Sequence, residues 1–168
     1  MQRLAGVAVL AALGGLWLAV PALSWAAVKA RIRKEFPTVR AITTSELAAA
    51  LGTPAEPKPL LLDVRTAAEF EVSHLANARQ VDPDAAATEV RVAKDTPIVT
   101  YCSVGYRSAA FSQRLQAAGF TNVRNLEGSI FQWANEGRPL TAPRVHPYNK
   151  KWGALLNAPL RADVPAVK

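Results

Sequence analysis

The chain has 168 residues, half of them hydrophobic, with 20 basic and 13 acidic side chains and a net charge of +7. Its single cysteine excludes an internal disulfide, and with only two histidines beside it no Cys/His metal cluster can be assembled, so no metal is expected. The positive balance favours anionic partners. However, the chain has no basic run interleaved with aromatics, no phosphate loop and no Gly-x-Gly-x-x-Gly, so neither nucleic acid nor a cofactor is expected.

In chain order, no residue from Leu4 to Val28 is charged, and Arg3 supplies a small positive region before that run. The run is long enough to span a bilayer, which takes ~20 apolar residues. Pro21 breaks it, and Ser24-Trp25-Ala26 has the small-residue spacing of a signal peptidase site, with cleavage after Ala26. Residues 1–27 are therefore expected to be a signal peptide, which would export the domain (to the periplasm in a bacterium). The alternative is an uncleaved anchor formed by residues 4–27. In that case the cluster Lys29, Arg31, Arg33, Lys34 would hold the domain in the cytoplasm. Residues 28–37 read as a basic connector.

Val39 to Ile42 alternates as a short strand. Thr43 with Glu46 forms a capping box for a helix that ends at Gly52. Leu60 to Val64 is a continuous apolar run, as in a buried parallel strand. A helix opens at Thr66–Phe70, a strand is expected at Ala78–Val81, and a helix at Asp84–Val92. Pro97 to Tyr101 is a β-branched strand, and Ser108 to Ala118 is a helix closed by Gly119. Asn122 to Leu126 is a strand, and Gly128 to Asn135 a helix closed by Gly137. Alternating strands and helices predict an α/β fold with a central parallel sheet covered on both faces. The expected domain covers residues 38–140. Residues 141–168 form a Pro-rich basic extension, whose segment from His146 to Trp152 either packs on the domain or is loosely ordered.

The chemistry-bearing segment is Cys102-Ser103-Val104-Gly105-Tyr106-Arg107, between the Pro97–Tyr101 strand and the helix from Ser108. Ligands of open α/β sheets bind at the carboxyl ends of strands. A helix N-terminus offers free N–H groups and partial positive charge, which favours a thiolate there. Gly105 lets the loop turn its amides inward, and Arg107 can pair with a bound oxyanion.

These residues resemble the rhodanese homology domain, over roughly residues 37–140. Leu62-Asp63-Val64-Arg65 with Glu69-Phe70 is similar to that family's first signature, and Ser73-His74-Leu75-Ala76-Asn77-Ala78 to its next segment. Cys102 to Arg107 is similar to its six-residue active-site loop. Asn125 to Ile130, with Trp133 and Gly137-Arg138-Pro139, is similar to its closing signature. The resemblance implies a sulfurtransferase in which Cys102 takes sulfur from a small anionic donor as a persulfide and passes it to a thiol or a protein acceptor. The amides of Ser103, Val104, Gly105, Tyr106 and Arg107 would cradle the persulfide, with Asp63, Arg65 and Ser108 in support. The other readings are a sulfur-carrier or docking module for a protein partner, and a phosphatase or arsenate reductase. The last two use a seven-residue loop ending in Arg, whereas here Arg107 falls five residues after the cysteine and Ser108 stands where their Arg would be.

Overall fold

The computed structural model describes residues 23–54 and 57–164. Five parallel strands form one sheet in the order β1-β5-β4-β2-β3: β1 (Arg40–Ile42), β2 (Leu60–Asp63), β3 (Arg79–Gln80), β4 (Ile98–Tyr101) and β5 (Val123–Leu126). Among the described residues six α-helices accompany it: α1 (Trp25–Glu35), α2 (Thr44–Gly52), α3 (Ala67–Val72), α4 (Tyr106–Ala117), α5 (Ser129–Asn135) and α6 (Lys150–Gly153). The expected parallel sheet flanked by helices is the observed architecture.

Side-chain alternation assigns the two faces. Leu61, Val99 and Tyr101 point into one cluster with Leu47 of α2 and Ile130, Phe131 and Trp133 of α5. Leu62 and Ile98 point into the other, with Phe111 and Leu115 of α4. Both faces are therefore buried, which is why β2 and β4 read as unbroken apolar runs. The capping box read at Thr43 is present, with Thr43 Oγ1 accepting from the Glu46 amide at 3.1 Å and Glu46 accepting from the Thr43 amide at 2.8 Å. Thr66 and Glu69 form a second box at the start of α3.

Three elements differ from expectation. Residues 25–35, read from their charge as part connector, form helix α1, and its Val28 is buried in the α2/α5 cluster. Ser24, Trp25 and Ala26, read as a cleavage site, are the cap and first residues of that helix, while residues 1–22 lie outside the described residues. The helix expected at 84–92 is only a 3-10 turn at Ala87–Glu89. There the Asp82 carboxylate accepts the Asp84 amide at 2.9 Å and the Asp82 carbonyl accepts the Ala85 amide, a local turn that competes with helix. Helix α4 begins at Tyr106 rather than Ser108, because Gly105 takes a left-handed conformation (φ 107°) that starts the helix directly after the loop.

The extension after residue 140 packs on the domain. Val145 and Leu156 are buried in the α2/α5 cluster, and Val145 forms an isolated parallel bridge with Arg161. Among the described residues no helix is long and apolar enough to cross a membrane.

Candidate active site

β2 connects outward to β3 while β4 connects to β5 on the opposite side, so the crevice between the carboxyl ends of β2 and β4 is a topological switch point. Cys102 follows β4 directly there. It is 1% exposed, at the bottom of a cavity of about 130 Å³ lined by Ser103, Val104, Tyr106, Arg107, Tyr148 and Trp152.

The loop is fixed from below by α5. Ile130 N–H donates to the Cys102 carbonyl at 3.2 Å, and Phe131 N–H to the Ser103 carbonyl at 3.1 Å. The Cys102 amide donates to Ser129 Oγ at 3.1 Å. From the side, Asn125 on β5 donates its amide to the Gly105 carbonyl at 3.0 Å and accepts from Ser108 Oγ at 2.7 Å. Asn125 and Ser129 fall within the closing signature, but nothing in their spacing announces these contacts.

The sulfur of Cys102 accepts the Gly105 N–H at 3.2 Å. Burial pushes the thiol up. The charge of Arg107, the hydroxyl and N–H of Ser108 and the N–H of Gly105 outweigh it, so the thiol sits below its ordinary value. The hydroxyl of Ser108 has one proton, which serves either Asn125 or the sulfur. Gly105 touches the sulfur through its N–H, and Arg107 acts on it through its charge. Val104 supplies apolar wall, and Tyr106 faces α1 as well as the cavity.

Three of the five N–H donors of Arg107 are engaged within the protein. The guanidinium donates to both carboxylate oxygens of Glu69, at 2.9 and 2.8 Å, and to Ser103 Oγ at 3.0 Å. Glu69 is wholly buried. Burial would raise its pKa, but the hydrogen bonds and charge of Arg107 with the Thr66 amide bring it down to about 2. Glu69 thus anchors both ends of the loop, because Ser103 Oγ also donates to it at 3.0 Å. In the sequence Glu69 was visible only as part of a motif.

Asp63 and Arg65 do not reach the cavity. They form a buried pair, with Arg65 donating to both Asp63 oxygens (2.6–3.1 Å) and to the Ser73 carbonyl at 2.6 Å. That pair ties β2 to the segment after α3, a scaffold role. His74 stacks on Phe70 with ring centroids 3.7 Å apart and lies away from the sulfur's lining residues.

The model for the rhodanese-like domain matches residues 43–136. A sulfurtransferase from Allochromatium vinosum is 35% identical over 85 residues, covering 50% of this chain and 79% of the relative. A tRNA uridine(34) hydroxylase from Escherichia coli is 32% identical over 95 residues, covering 52% of this chain but only 27% of that longer protein. A rhodanese-like domain protein from Staphylococcus aureus has a crystal structure that superposes with a TM-score of 0.52 at 29% identity, over 56% of this chain and 91% of the other.

Proposed function

The chain belongs to the rhodanese-like domain family, and on that footing we propose that it moves a sulfane sulfur through a persulfide on Cys102. The Cys102 thiolate attacks the outer sulfur of a thiosulfate-like or persulfide donor. A new S–S bond forms as the donor's S–S bond breaks, and the donor's remainder leaves with the electron pair (sulfite, in the case of thiosulfate). A thiol or other nucleophile then attacks the outer sulfur of the persulfide and returns the electron pair to Cys102. No oxidant or reductant is consumed overall, and two covalent steps replace one harder transfer.

The observation that carries this reading is the sulfur itself: buried, held toward thiolate, and facing N–H donors in a small cavity. Those donors favour the negative charge that a persulfide keeps through the cycle. Phosphatase or arsenate chemistry is disfavoured because Arg107 falls five residues after Cys102, which makes the loop one residue shorter than theirs. Incubating the chain with thiosulfate and weighing it should show the gain of one sulfur atom, lost on adding cyanide and absent in Cys102→Ser. An equal gain in Cys102→Ser would refute the role of Cys102.

The uncharged N-terminal run is proposed as an export signal or an anchor. The mass of the native chain separates the two: a start at Ala27 supports cleavage, and intact Met1 in the membrane fraction supports anchoring.

A further inference from the structure

Two of the three aromatic walls around Cys102 come from outside residues 43–136, the stretch that matches the family. Tyr148 and Trp152 belong to the C-terminal extension. The third wall, Tyr106, is held from behind by helix α1. Its hydroxyl donates to Glu35, Phe36 meets its ring edge-on at 5.3 Å, and Arg31 lies 5.3 Å from its centroid.

The extension is built to hold its two rings in place. Tyr148 takes a left-handed backbone conformation (φ 62°), which a non-glycine residue adopts only when its surroundings impose it. Its amide donates to Nδ1 of the buried His146 at 3.0 Å, and its ring lies against the Arg107 guanidinium, 4.7 Å from centroid to Cζ. Asn149 caps α6 by accepting the Trp152 amide at 3.0 Å. Gly153 lets α6 close on the turn, since a Cβ there would stand 2.9 Å from Pro147 Cβ. The left-handed turn, the ring on Arg107 and the glycine contact all fix the walls over the sulfur.

The geometry points to a size filter: Tyr106, Tyr148 and Trp152 admit to Cys102 only slim small molecules that present a terminal sulfur, and they keep out the surface cysteine of a folded protein. This rests on the sulfur-transfer reading and names its substrate class. The cavity at Cys102 is about 130 Å³, against about 330 and 440 Å³ for two other pockets among the described residues. Cys102 is 1% exposed at its floor. A terminal sulfur on a slim ion is what a cavity of this size, with Cys102 buried beneath its aromatic lining, suits. A protein partner would have to displace rings that the turn and α1 hold in place.

Cys102 is the only cysteine in the chain, so alkylation reports access without needing catalysis. The test compares iodoacetamide with a fluorescein maleimide, each normalised to its rate on an unstructured cysteine peptide. It uses the wild-type chain, Tyr148→Gly and Trp152→Ala, with thermal melts checking that both variants fold. The wild type should discriminate against the bulky reagent by about tenfold or more, and both variants should lose most of that discrimination. A wild type that takes both reagents equally overturns the filter whether or not the variants fold. Discrimination undiminished in two folded variants also overturns it. In a second arm the thiosulfate-treated chain is offered cyanide or reduced thioredoxin. Cyanide should strip the sulfur from wild type, and thioredoxin should do so appreciably only from the variants. Thioredoxin stripping wild type as fast as Tyr148→Gly counts against the filter. Size discrimination in alkylation with no sulfur gained from thiosulfate instead counts against the sulfur-transfer reading for that donor and leaves the filter standing.

Discussion

Glu69 and Arg107 act on the sulfur of Cys102 with opposite signs. Arg107 favours the thiolate, and Glu69, bonded to both terminal guanidinium nitrogens, offsets that positive charge while keeping it in position. Glu69→Gln should therefore move the pH midpoint of Cys102 alkylation downward, because the guanidinium's field is no longer opposed. The same change should destabilise the fold. The carboxyl is depressed from 4.5 to about 2, which at 1.36 kcal/mol per unit corresponds to about 3 kcal/mol. A depressed carboxyl stabilises above its unfolded pKa, so this contribution is full above about pH 4.5 and fades as pH falls through about 2. Urea unfolding at pH 7 and at pH 2–3 should show the wild-type advantage at the first and its shrinkage at the second. A midpoint that rises, or a difference independent of pH, would contradict the pairing. Of this site, Cys102, Gly105 and Arg107 were legible because the loop is local. Glu69 was not legible as a partner because it lies 38 residues from Arg107, and only the fold joins them.

Of the three elements that differed, the turn at Ala87–Glu89 and the start of α4 have local causes, whereas α1 rests on tertiary contacts. The α2 and α3 helices carry their start signals in four residues, so Thr43/Glu46 and the start near Thr66 could be read directly. Helix α1 carries none of its purpose locally. Its cationic residues suggested a tether, but Lys29 and Arg33 both pair with Glu127, at 3.0 and 3.1 Å, and Val28 fills the core. The two ion pairs are partly exposed and contribute about 0–1 kcal/mol each. Val28 is the stronger tie. Val28→Ala should cost about 1–2 kcal/mol in chemical unfolding, while Arg33→Ala should change it by less than about 1 kcal/mol. Because α1 also braces Tyr106 through Glu35 and Phe36, Val28→Ala should speed alkylation of Cys102. Equal stability losses in the two variants would mean that charge, not packing, docks this helix.

At the scale of the molecule, the family-like stretch does not own its whole core. The α4 cluster is built entirely from residues between Leu60 and Val123. The α2/α5 cluster draws Val28 from before that stretch and Val145 and Leu156 from after it, at 5%, 0% and 1% exposure. The sequence did not advertise the latter two, because the Pro-rich extension shows no hydrophobic period. Burying three such side chains contributes about 5–9 kcal/mol as an upper value, against a total stability of about 5–15 kcal/mol for a domain of this kind. Residues 38–140 alone should therefore lack a cooperative urea transition, or unfold at far lower urea, even though every strand is present. They should also bind a hydrophobic dye at the face that α1 and the extension cover in the intact chain. A fragment that unfolds cooperatively at the full-length midpoint would show the added segments to be peripheral. The loss predicted here follows from the same placement that gives the filter its walls: segments that complete the α2/α5 core are held rigidly enough to fix Tyr106, Tyr148 and Trp152 above Cys102.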